Sequence, residues 1–539
     1  MLARGRGTTP AWDALGLTAL IAACAAADLT KPVHMDDAAY LAIVSWIPAH
    51  PLHPLSGMLT WADSLQPFSG LNQPVLYIYL QSLVWSLFGP SLLAQHVLMA
   101  GMSGAVVWVF YRLARALGCQ YPLWLTALLV LGPVFLPGQN LMMDVPALLC
   151  WLVCFWALLA PPNRQSTGRL ALGAVAVAAA VLIKYTGLVL LLIFAITLAG
   201  RGQWRRLWLL AIPLAALTGW SLFNLFDYGG IHVLSRSVGA IRLTRYLGQA
   251  VSWLAGLGAL APFTLAFVAS RPVRWQVLAA AGLAAAASGR VMTLRTQSLL
   301  SGLAWAVIIG NGVLALALVG MAVARRSNET PALGAAPSDV NRVLIMWLVG
   351  AAAFTILFAP FMAVRHLLPA VAPLLLLLGR NLRTGPRLAW AVLALTAVPG
   401  VWLAASDFAY AAVYPAYAAP IAASLPATAV TRWTIGHWGW QWYAQQAGLT
   451  EYDMTVNRLA AGDYLVAPAV PHQQALRPED EQRLVLVQTI TIASTPLTWL
   501  RTMSVQPWGG YYDFSIVAGS LPWTFSTGPL EQFRVFRVR

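Results

Sequence analysis

Charge is scarce in this chain of 539 residues, of which only 9% are charged. Soluble domains carry about 25% charged residues. Hydrophobic residues make up 59% of the chain, and the mean hydropathy is +0.69. Apolar runs that approach the length needed to cross a bilayer, about 20 residues, recur from Leu15 to Ala405. These features exclude an ordinary soluble protein and predict a polytopic membrane protein.

Cysteine is rare as well, and the positions of the cysteines do not indicate a disulfide framework. The four cysteines all lie in or beside apolar segments, which argues against disulfides and against a Cys/His metal site. The chain also lacks a basic tail and zinc-knuckle spacing. The net charge of +15 is therefore typical of loop arginines near anionic membrane lipids, and we predict no nucleic-acid partner.

Arginines separate the apolar runs and predict the membrane topology, because loops rich in Arg and Lys remain on the cytoplasmic side. Arg4 and Arg6 place the N-terminus inside. We predict about thirteen membrane helices, at about 14–30, 91–111, 121–137, 145–160, 170–183, 187–200, 207–226, 250–270, 275–289, 298–323, 343–360, 367–379 and 388–406. Residues 31–90 then form an external loop with juxtamembrane helices. An odd number of spans leaves 407–539 outside, as a small α/β domain behind a membrane domain at 1–406.

Acidic residues are the scarcest charges before the tail. Only nine of the 18 Asp and Glu residues precede Asp407, and two of them, Asp36 and Asp37, are adjacent just after the first span. The predicted topology places most of these acids outside, together with Lys184 and Arg365 at helix ends. Charges beside a membrane are costly unless they serve a site. The pattern predicts an active site or a transport path at the outer surface.

The outer location constrains the chemistry, because nucleotide-activated donors and ATP are cytoplasmic. No P-loop or dinucleotide fingerprint appears in the inner segments. A sugar on a polyprenyl phosphate fits, since its phosphate leaves without a general acid and needs only cations to take up the charge. One carboxylate would deprotonate the acceptor hydroxyl as general base. The cations available for the donor phosphate are Lys184, Arg365 and the loop arginines Arg236, Arg242 and Arg245.

Several segments, taken in order, resemble the GT-C polyprenyl-phosphate-sugar glycosyltransferases. In particular, they resemble the branch that contains the protein O-mannosyltransferases and the aminoarabinose transferases of lipid A. The likeness covers about residues 30–405. The matching segments are Asp36-Asp37 with Tyr40, Asn72-Gln73-Pro74 with Leu87-Phe88-Gly89, Met142-Met143-Asp144-Val145-Pro146, Lys184-Tyr185-Thr186 and Arg365-His366-Leu367-Leu368-Pro369. The chain departs from the family pattern at Asp37, where a glutamate is usual, and at Asn72-Gln73, where a histidine or lysine precedes a proline doublet.

The resemblance implies an all-α polytopic membrane protein of the GT-C fold in a bacterial-type inner membrane. It implies an inverting transferase with Asp36 as general base and Asp37 as a second catalytic acid. Donor phosphate contacts are expected from Lys184, Arg365, Arg242 and Arg245. Substrate contacts are expected from Tyr40, Asn72, Gln73 and His366. The expected partners are a polyprenyl-phosphate sugar, a lipid, glycan or protein acceptor, and the surrounding membrane lipids.

Other interpretations stay open from sequence alone. Asp36 would also serve as a helix N-cap, and Lys184 as a lysine that reaches the membrane interface. A divalent metal ion bridging Asp36 and Asp144 is compatible with the pattern, although the chemistry does not require one. A transporter or flippase of lipid-linked glycan precursors is the alternative function, because it too would place rare charges among helices.

Overall fold

The structure is a computed structural model of the chain. It describes residues 10–61, 63–71, 73–160, 165–236, 242–269, 273–324, 337–381, 384–426, 431–505 and 509–539. Helices fill most of the chain up to Ser424, and a small region rich in strands follows. This confirms the predicted helical membrane protein with a small C-terminal sheet region.

The helices of the first part are, in chain order, α1 (Pro10–Asp28), α2 (Asp37–Trp46), α3 (Leu76–Phe88), α4 (Leu92–Ala116), α5 (Pro122–Val130), α6 (Asp144–Leu158), α7 (Thr167–Ile183), α8 (Leu188–Gly200), α9 (Ala211–Tyr228), α10 (His232–Ser235), α11 (Leu243–Leu260), α12 (Thr264–Ala269), α13 (Trp275–Thr296), α14 (Leu299–Ala324), α15 (Pro337–Phe358), α16 (Leu368–Asn381), α17 (Pro386–Ala411) and α18 (Val413–Ser424). Local signals set several ends. Ser91 caps α4 by accepting the N–H of Ala94 at 3.2 Å, and Gly229 ends α9 with a φ of 76°, which glycine adopts without strain.

Seven helical segments are long and apolar enough to cross a membrane, counted over the described residues. They are Ala11–Asp28, Leu92–Ala116, Trp204–Tyr228, Trp275–Thr296, Leu299–Ala324, Asp339–Phe358 and Pro386–Ser424. Each of the predicted spans overlaps a helix, but several of these helices are shorter than a bilayer crossing. The chain is a multi-pass membrane protein, and its full number of crossings stays a prediction.

The short helices differ from ordinary spans because they are buried inside the bundle. Leu123 to Val130 of α5 are all buried, as are most residues of α16. A helix that is hydrophobic on every side is stable when other helices surround it. In sequence, such a helix cannot be distinguished from a lipid-facing span by composition.

The helix ends lie in two layers, one at each end of the helix bundle. At one layer, Asp28 at the end of α1 contacts His96 near the start of α4, with 2.9 Å between Oδ1 and Nδ1. At the opposite layer, Arg201 after α8 pairs with Asp339 near the start of α15. The candidate site described below belongs to the first layer.

The strands are β1 (Met58–Thr60), β2 (Leu65–Pro67), β3 (Arg432–Thr434), β4 (Thr450–Glu451), β5 (Tyr464–Pro468), β6 (Leu484–Ile492), β7 (Leu500–Arg501), β8 (Met503–Ser504), β9 (Gly509–Gly510), β10 (Thr524–Phe525) and β11 (Glu531–Val538). Two further helices, α19 (Trp438–Gln446) and α20 (Pro478–Glu481), lie among them. The main sheet has the order β4-β3-β5-β11-β6. In β11, Phe533 and Val535 alternate with more exposed residues, as expected for a strand with one covered surface.

The sheet region is bonded to the segment between α2 and α3. Gln441 donates to the carbonyl of Thr60 at 2.8 Å, and Asp453 accepts the N–H of Leu65 at 2.8 Å. Both contacts hold the β1–β2 hairpin. The predicted domain boundary at residue 407 falls inside α17, which continues to Ala411.

Candidate active site

Four charged side chains from distant parts of the chain meet at the first layer of helix ends. Asp36 precedes α2, Asp144 is the first residue of α6, Lys184 follows α7, and Arg365 lies in a short 3-10 turn before α16. Apolar runs stop at helix ends, so a charged side chain costs less free energy there than within a membrane span. All four line one cavity of about 150 Å³.

The four charges pair with one another across this cavity. Arg365 Nη2 lies 2.8 Å from Asp36 Oδ2, and Arg365 Nε lies 3.6 Å from Asp144 Oδ2. Lys184 Nζ lies 2.5 Å from Asp144 Oδ1. The cluster is neutral overall, and Asp36, with its side chain 17% exposed, is the more accessible of the two acids.

Burial and pairing act in opposite directions on the two cations. Burial alone would lower the pKa of Arg365, but the charges of Asp36 and Asp144 outweigh it and raise that pKa. Burial lowers the pKa of Lys184, and Asp144 opposes this effect only in part. The two carboxylates thus offset the cost of burying the Arg365 cation.

Several polar atoms at the cavity are left without partners. Within the described ranges, Arg365 Nη1, Arg236 Nε and Thr186 Oγ1 are buried and make no hydrogen bond. All three residues line the cavity. A buried donor without a partner costs about 1–3 kcal/mol, and native structures keep few of them. The arrangement fits a ligand group rich in acceptor oxygens, such as a phosphate.

Arg236 is held at the cavity by aromatic rings. Its guanidinium carbon lies 5.1 Å from the ring centre of Tyr185 and 5.8 Å from that of Phe354. Such cation–π contacts orient a guanidinium without using its hydrogen bonds. Arg236 therefore keeps its donors available.

His366 is a neutral donor at the same cavity. Its Nδ1 accepts the backbone N–H of Ala363 at 3.3 Å. Burial, followed by the charges of Lys184 and Arg365, holds the pKa of His366 well below its usual value. The ring proton consequently resides on Nε2. Of the other predicted substrate contacts, Tyr40 and Gln73 line the cavity, and Asn72 lies outside the described residues.

The structure separates the two adjacent acids. Asp37 is fully buried in the first turn of α2, and it is not among the residues that line the cavity. Its Oδ2 accepts the backbone N–H of His34 at 3.2 Å. Burial raises the pKa of Asp37 to about 7. Its predicted catalytic role has no counterpart in this geometry.

The two predicted loop arginines also lie away from the cavity lining. Arg242 is exposed at the start of α11. Arg245 donates from Nη2 to the carbonyl of Ala359 at 2.7 Å, so it contacts the cavity wall from behind. Of the three arginines of this loop, the structure places Arg236 in the lining.

Several aromatic residues at the site were missed in the sequence, and Trp61 and Tyr512 are two of them. Trp61, in the turn between β1 and β2, lines the cavity. The ring centre of Tyr512 lies 5.6 Å from the guanidinium carbon of Arg365. With 24 tryptophans and 16 tyrosines in the chain, no sequence signal distinguishes these two.

The donor set does not fit a resident divalent metal ion between Asp36 and Asp144. Both carboxylates already pair with Arg365, and Asp144 also pairs with Lys184. Over the described residues, no group of three or more His, Cys, Asp or Glu side chains is arranged to hold a metal. We therefore derive no step through a metal ion.

Comparisons with known proteins agree with the resemblance noted in the sequence. Residues 72–225 match the family described as dolichyl-phosphate-mannose-protein mannosyltransferase. No curated protein sequence matches the chain. Two similar solved structures are crystal structures of ArnT from Cupriavidus metallidurans. The one bound to undecaprenyl phosphate has 15% identity and a TM-score of 0.42, covering 89% of this chain and 97% of that chain. The apo form has 16% identity and a TM-score of 0.41, covering 89% and 96%.

The family match over residues 72–225 agrees with the predicted resemblance to the GT-C transferases and indicates a glycosyltransferase. The matched range contains Gln73, Asp144, Lys184 and Thr186 of the cavity. Asp36 and Arg365 lie outside that range, and their place at the site rests on the geometry above.

Proposed function

We propose that this glycosyltransferase moves a sugar from a polyprenyl phosphate to a hydroxyl of a lipid, glycan or protein, at the outer surface of a bacterial-type inner membrane. The observation that carries the proposal is one cavity that joins an accessible carboxylate, Asp36, to a free guanidinium donor, Arg365 Nη1. The matched family is named for a lipid-phosphate sugar donor and a mannosyl transfer.

The donor phosphate would lie against the unpaired donors of the cavity. Arg365 Nη1, Arg236 Nε and the Thr186 hydroxyl have no other partners within the described ranges, and Lys184 adds a third cation to the same cavity lining. Charge-assisted hydrogen bonds to phosphate are about twice as strong as neutral ones. These contacts hold the ground-state phosphate and stabilise it more as it leaves with additional negative charge.

Asp36 is positioned to act as the base. One of its oxygens, Oδ2, accepts from Arg365, and the side chain is partly open to the cavity. An acceptor hydroxyl that gives its proton to Asp36 becomes nucleophilic toward the anomeric carbon. Asp144 has a different role, since it pairs with both Lys184 and Arg365 and fixes their positions.

The reaction follows as one displacement. The acceptor oxygen forms a bond to the anomeric carbon while the bond from that carbon to the phosphate oxygen breaks, and the acceptor proton passes to Asp36. The bond electrons leave on the polyprenyl phosphate, where Arg365, Arg236 and Lys184 offset the charge. A single displacement inverts the anomeric configuration. The neutral His366 would donate from Nε2 to a sugar or acceptor oxygen.

The position of the charges favours a transferase over a flippase. Asp36, Asp144, Lys184 and Arg365 all lie at helix ends around one cavity rather than within spans. A transport path would need polar groups through the depth of the bundle. The donor's lipid chain would remain among the helices and the surrounding membrane lipids.

The test is direct. The purified protein in lipid nanodiscs is incubated with a panel of polyprenyl-phosphate sugars and with lipid, glycan and peptide acceptors. We expect release of free polyprenyl phosphate and an inverted product for one donor and one acceptor class. A product with retained configuration would contradict the single displacement, and sugar nucleotides acting as direct donors would contradict the lipid-phosphate assignment.

A further inference from the structure

A segment of the C-terminal region packs directly against the turn that carries Arg365. The N–H of Val364 donates to the carbonyl of Tyr511 at 2.9 Å, and the N–H of Phe514 donates to the carbonyl of Met362 at 2.8 Å. These bonds form a short antiparallel bridge. The backbone just before Arg365 is therefore fixed by residues almost 150 positions later in the chain.

The side chain of Arg365 contacts two aromatic rings. Its guanidinium carbon lies 5.6 Å from the ring centre of Tyr512 and 5.9 Å from that of Phe361. Tyr512 is buried, with 3% of its surface exposed. Contacts with aromatic rings orient a guanidinium without using its N–H groups as hydrogen-bond donors. This agrees with the unpaired Nη1 of Arg365.

Tyr512 is in turn anchored by a second buried charge network. Its hydroxyl donates to Asp407 Oδ2 at 2.9 Å and accepts from Asn140 Nδ2 at 2.9 Å. Lys31 Nζ lies 2.7 Å from Asp407 Oδ2 and 2.6 Å from Asn140 Oδ1. Asp407 and Lys31 are both buried. The network ties the loop after α1, the end of α17 and the C-terminal segment to one point.

From these contacts we infer that Tyr512 is a positioning residue for Arg365, so that the C-terminal region completes the donor-phosphate site. The ring of Tyr512 sets the plane of the guanidinium, its hydroxyl sets the position of the ring, and Arg365 Nη1 is thereby aimed into the cavity. The inference rests on the proposed function, because it takes Arg365 as a phosphate contact. The ligand concerned is the polyprenyl phosphate group of donor and product.

The experiment measures undecaprenyl phosphate binding and donor kinetics on the full chain in nanodiscs. We expect Tyr512→Leu to weaken undecaprenyl phosphate binding, and to raise the KM for the donor, by about tenfold, the order of a desolvated cation–π contact. The KM for the acceptor stays unchanged. Tyr512→Phe keeps the ring but loses the hydroxyl that positions it, so its donor constants should lie between those of the wild type and those of Tyr512→Leu. Tyr512→Met is a second non-aromatic variant in case leucine prevents folding.

Two comparisons separate positioning from a general structural role. The matched control is Tyr511→Phe, which removes a neighbouring buried hydroxyl that donates to the carbonyl of Val134, and we expect unchanged donor constants. In an Arg365→Ala background, Tyr512→Leu should weaken binding no further. Equal weakening in both backgrounds, or a donor KM unchanged in folded Tyr512→Leu and Tyr512→Met, overturns the inference while leaving the proposed function intact. A wild-type protein that binds no undecaprenyl phosphate overturns both.

Discussion

Replacing Arg365 by glutamine tests the centre of the site, because this one side chain contacts both acids. The substitution removes the 2.8 Å pair with Asp36 and the 3.6 Å contact with Asp144. Asp144 keeps Lys184 at 2.5 Å, whereas Asp36 loses the partner that holds it. The buried Nη1 donor disappears as well.

Two magnitudes follow for Arg365→Gln. A lost hydrogen bond to a charged group costs about 1.5–3 kcal/mol, and the partial exposure of Asp36 places the loss of stability at the lower end. A lost donor to charge that develops in the transition state costs about 2.7–4 kcal/mol, or roughly 10²–10³ in kcat. We therefore expect activity to fall far more than stability. Arg365→Lys keeps the charge but cannot contact both carboxylates through separate nitrogens, so it should recover only about tenfold.

The assay is the rate of polyprenyl phosphate release at saturating acceptor, with the melting temperature of the same detergent-solubilised samples as the folding control. Full activity of Arg365→Lys would show that bridging of the two acids is irrelevant. A loss of less than about threefold in Arg365→Gln, against the 10²–10³ expected, would refute the assignment of Arg365 to the phosphate.

The remaining predictions concern stability and use the melting temperature of the solubilised protein. Burial raises the pKa of Glu531 to about 7 from 4.5, so the folded state binds more protons than the unfolded state between these two pH values. The free energy of unfolding therefore falls by up to about 3 kcal/mol as pH rises through that window. Glu531→Gln should remove this pH dependence. Gly258→Ala would place a Cβ 1.8 Å from a backbone carbonyl of α14 and should cost about 1–3 kcal/mol, whereas Gly282→Ala, with no atom within 4 Å of the new Cβ, should be neutral. Lys31→Met leaves the buried Asp407 without its cation and should cost about 3–5 kcal/mol, part of which a second change, Asp407→Leu, should restore.

Much of the site could be predicted from the sequence because charge is so scarce before Asp407. In a chain of apolar helices, Asp36, Asp144, Lys184 and Arg365 stand out at the ends of runs, and the positive-inside rule assigns them to one membrane surface. The structure brings all four to one cavity. Helix ends in the same layer lie close together. The order of the spans was therefore enough to predict that these four side chains meet.

The differences between the predicted site and the cavity lining have a common cause, which is orientation within a segment. Asp36 and Asp37 are equivalent in the sequence, but successive helical residues point about 100° apart, so only one of them reaches the cavity. The same limit applies to Arg236, Arg242 and Arg245 on a single loop. Tyr512 was beyond prediction because its contact with Arg365 depends on how the C-terminal region packs against the helices.

Span lengths show a related limit. The apolar runs of α5 and α16 predict membrane crossings, but both helices are short and surrounded by other helices. An apolar composition indicates that a segment is shielded from water. It does not indicate whether lipid or protein surrounds the segment.

The most direct test of the central claim is the transfer rate of Asp36→Asn beside Asp227→Asn. Asp227, whose side chain is 2% exposed, pairs with His53 at 2.5 Å and is not among the cavity residues. If Asp36 is the base, Asp36→Asn lowers polyprenyl phosphate release by about 10²–10⁴ while undecaprenyl phosphate binding persists, and folded Asp227→Asn transfers sugar at close to the wild-type rate. Transfer by Asp36→Asn at near wild-type rate would contradict the account.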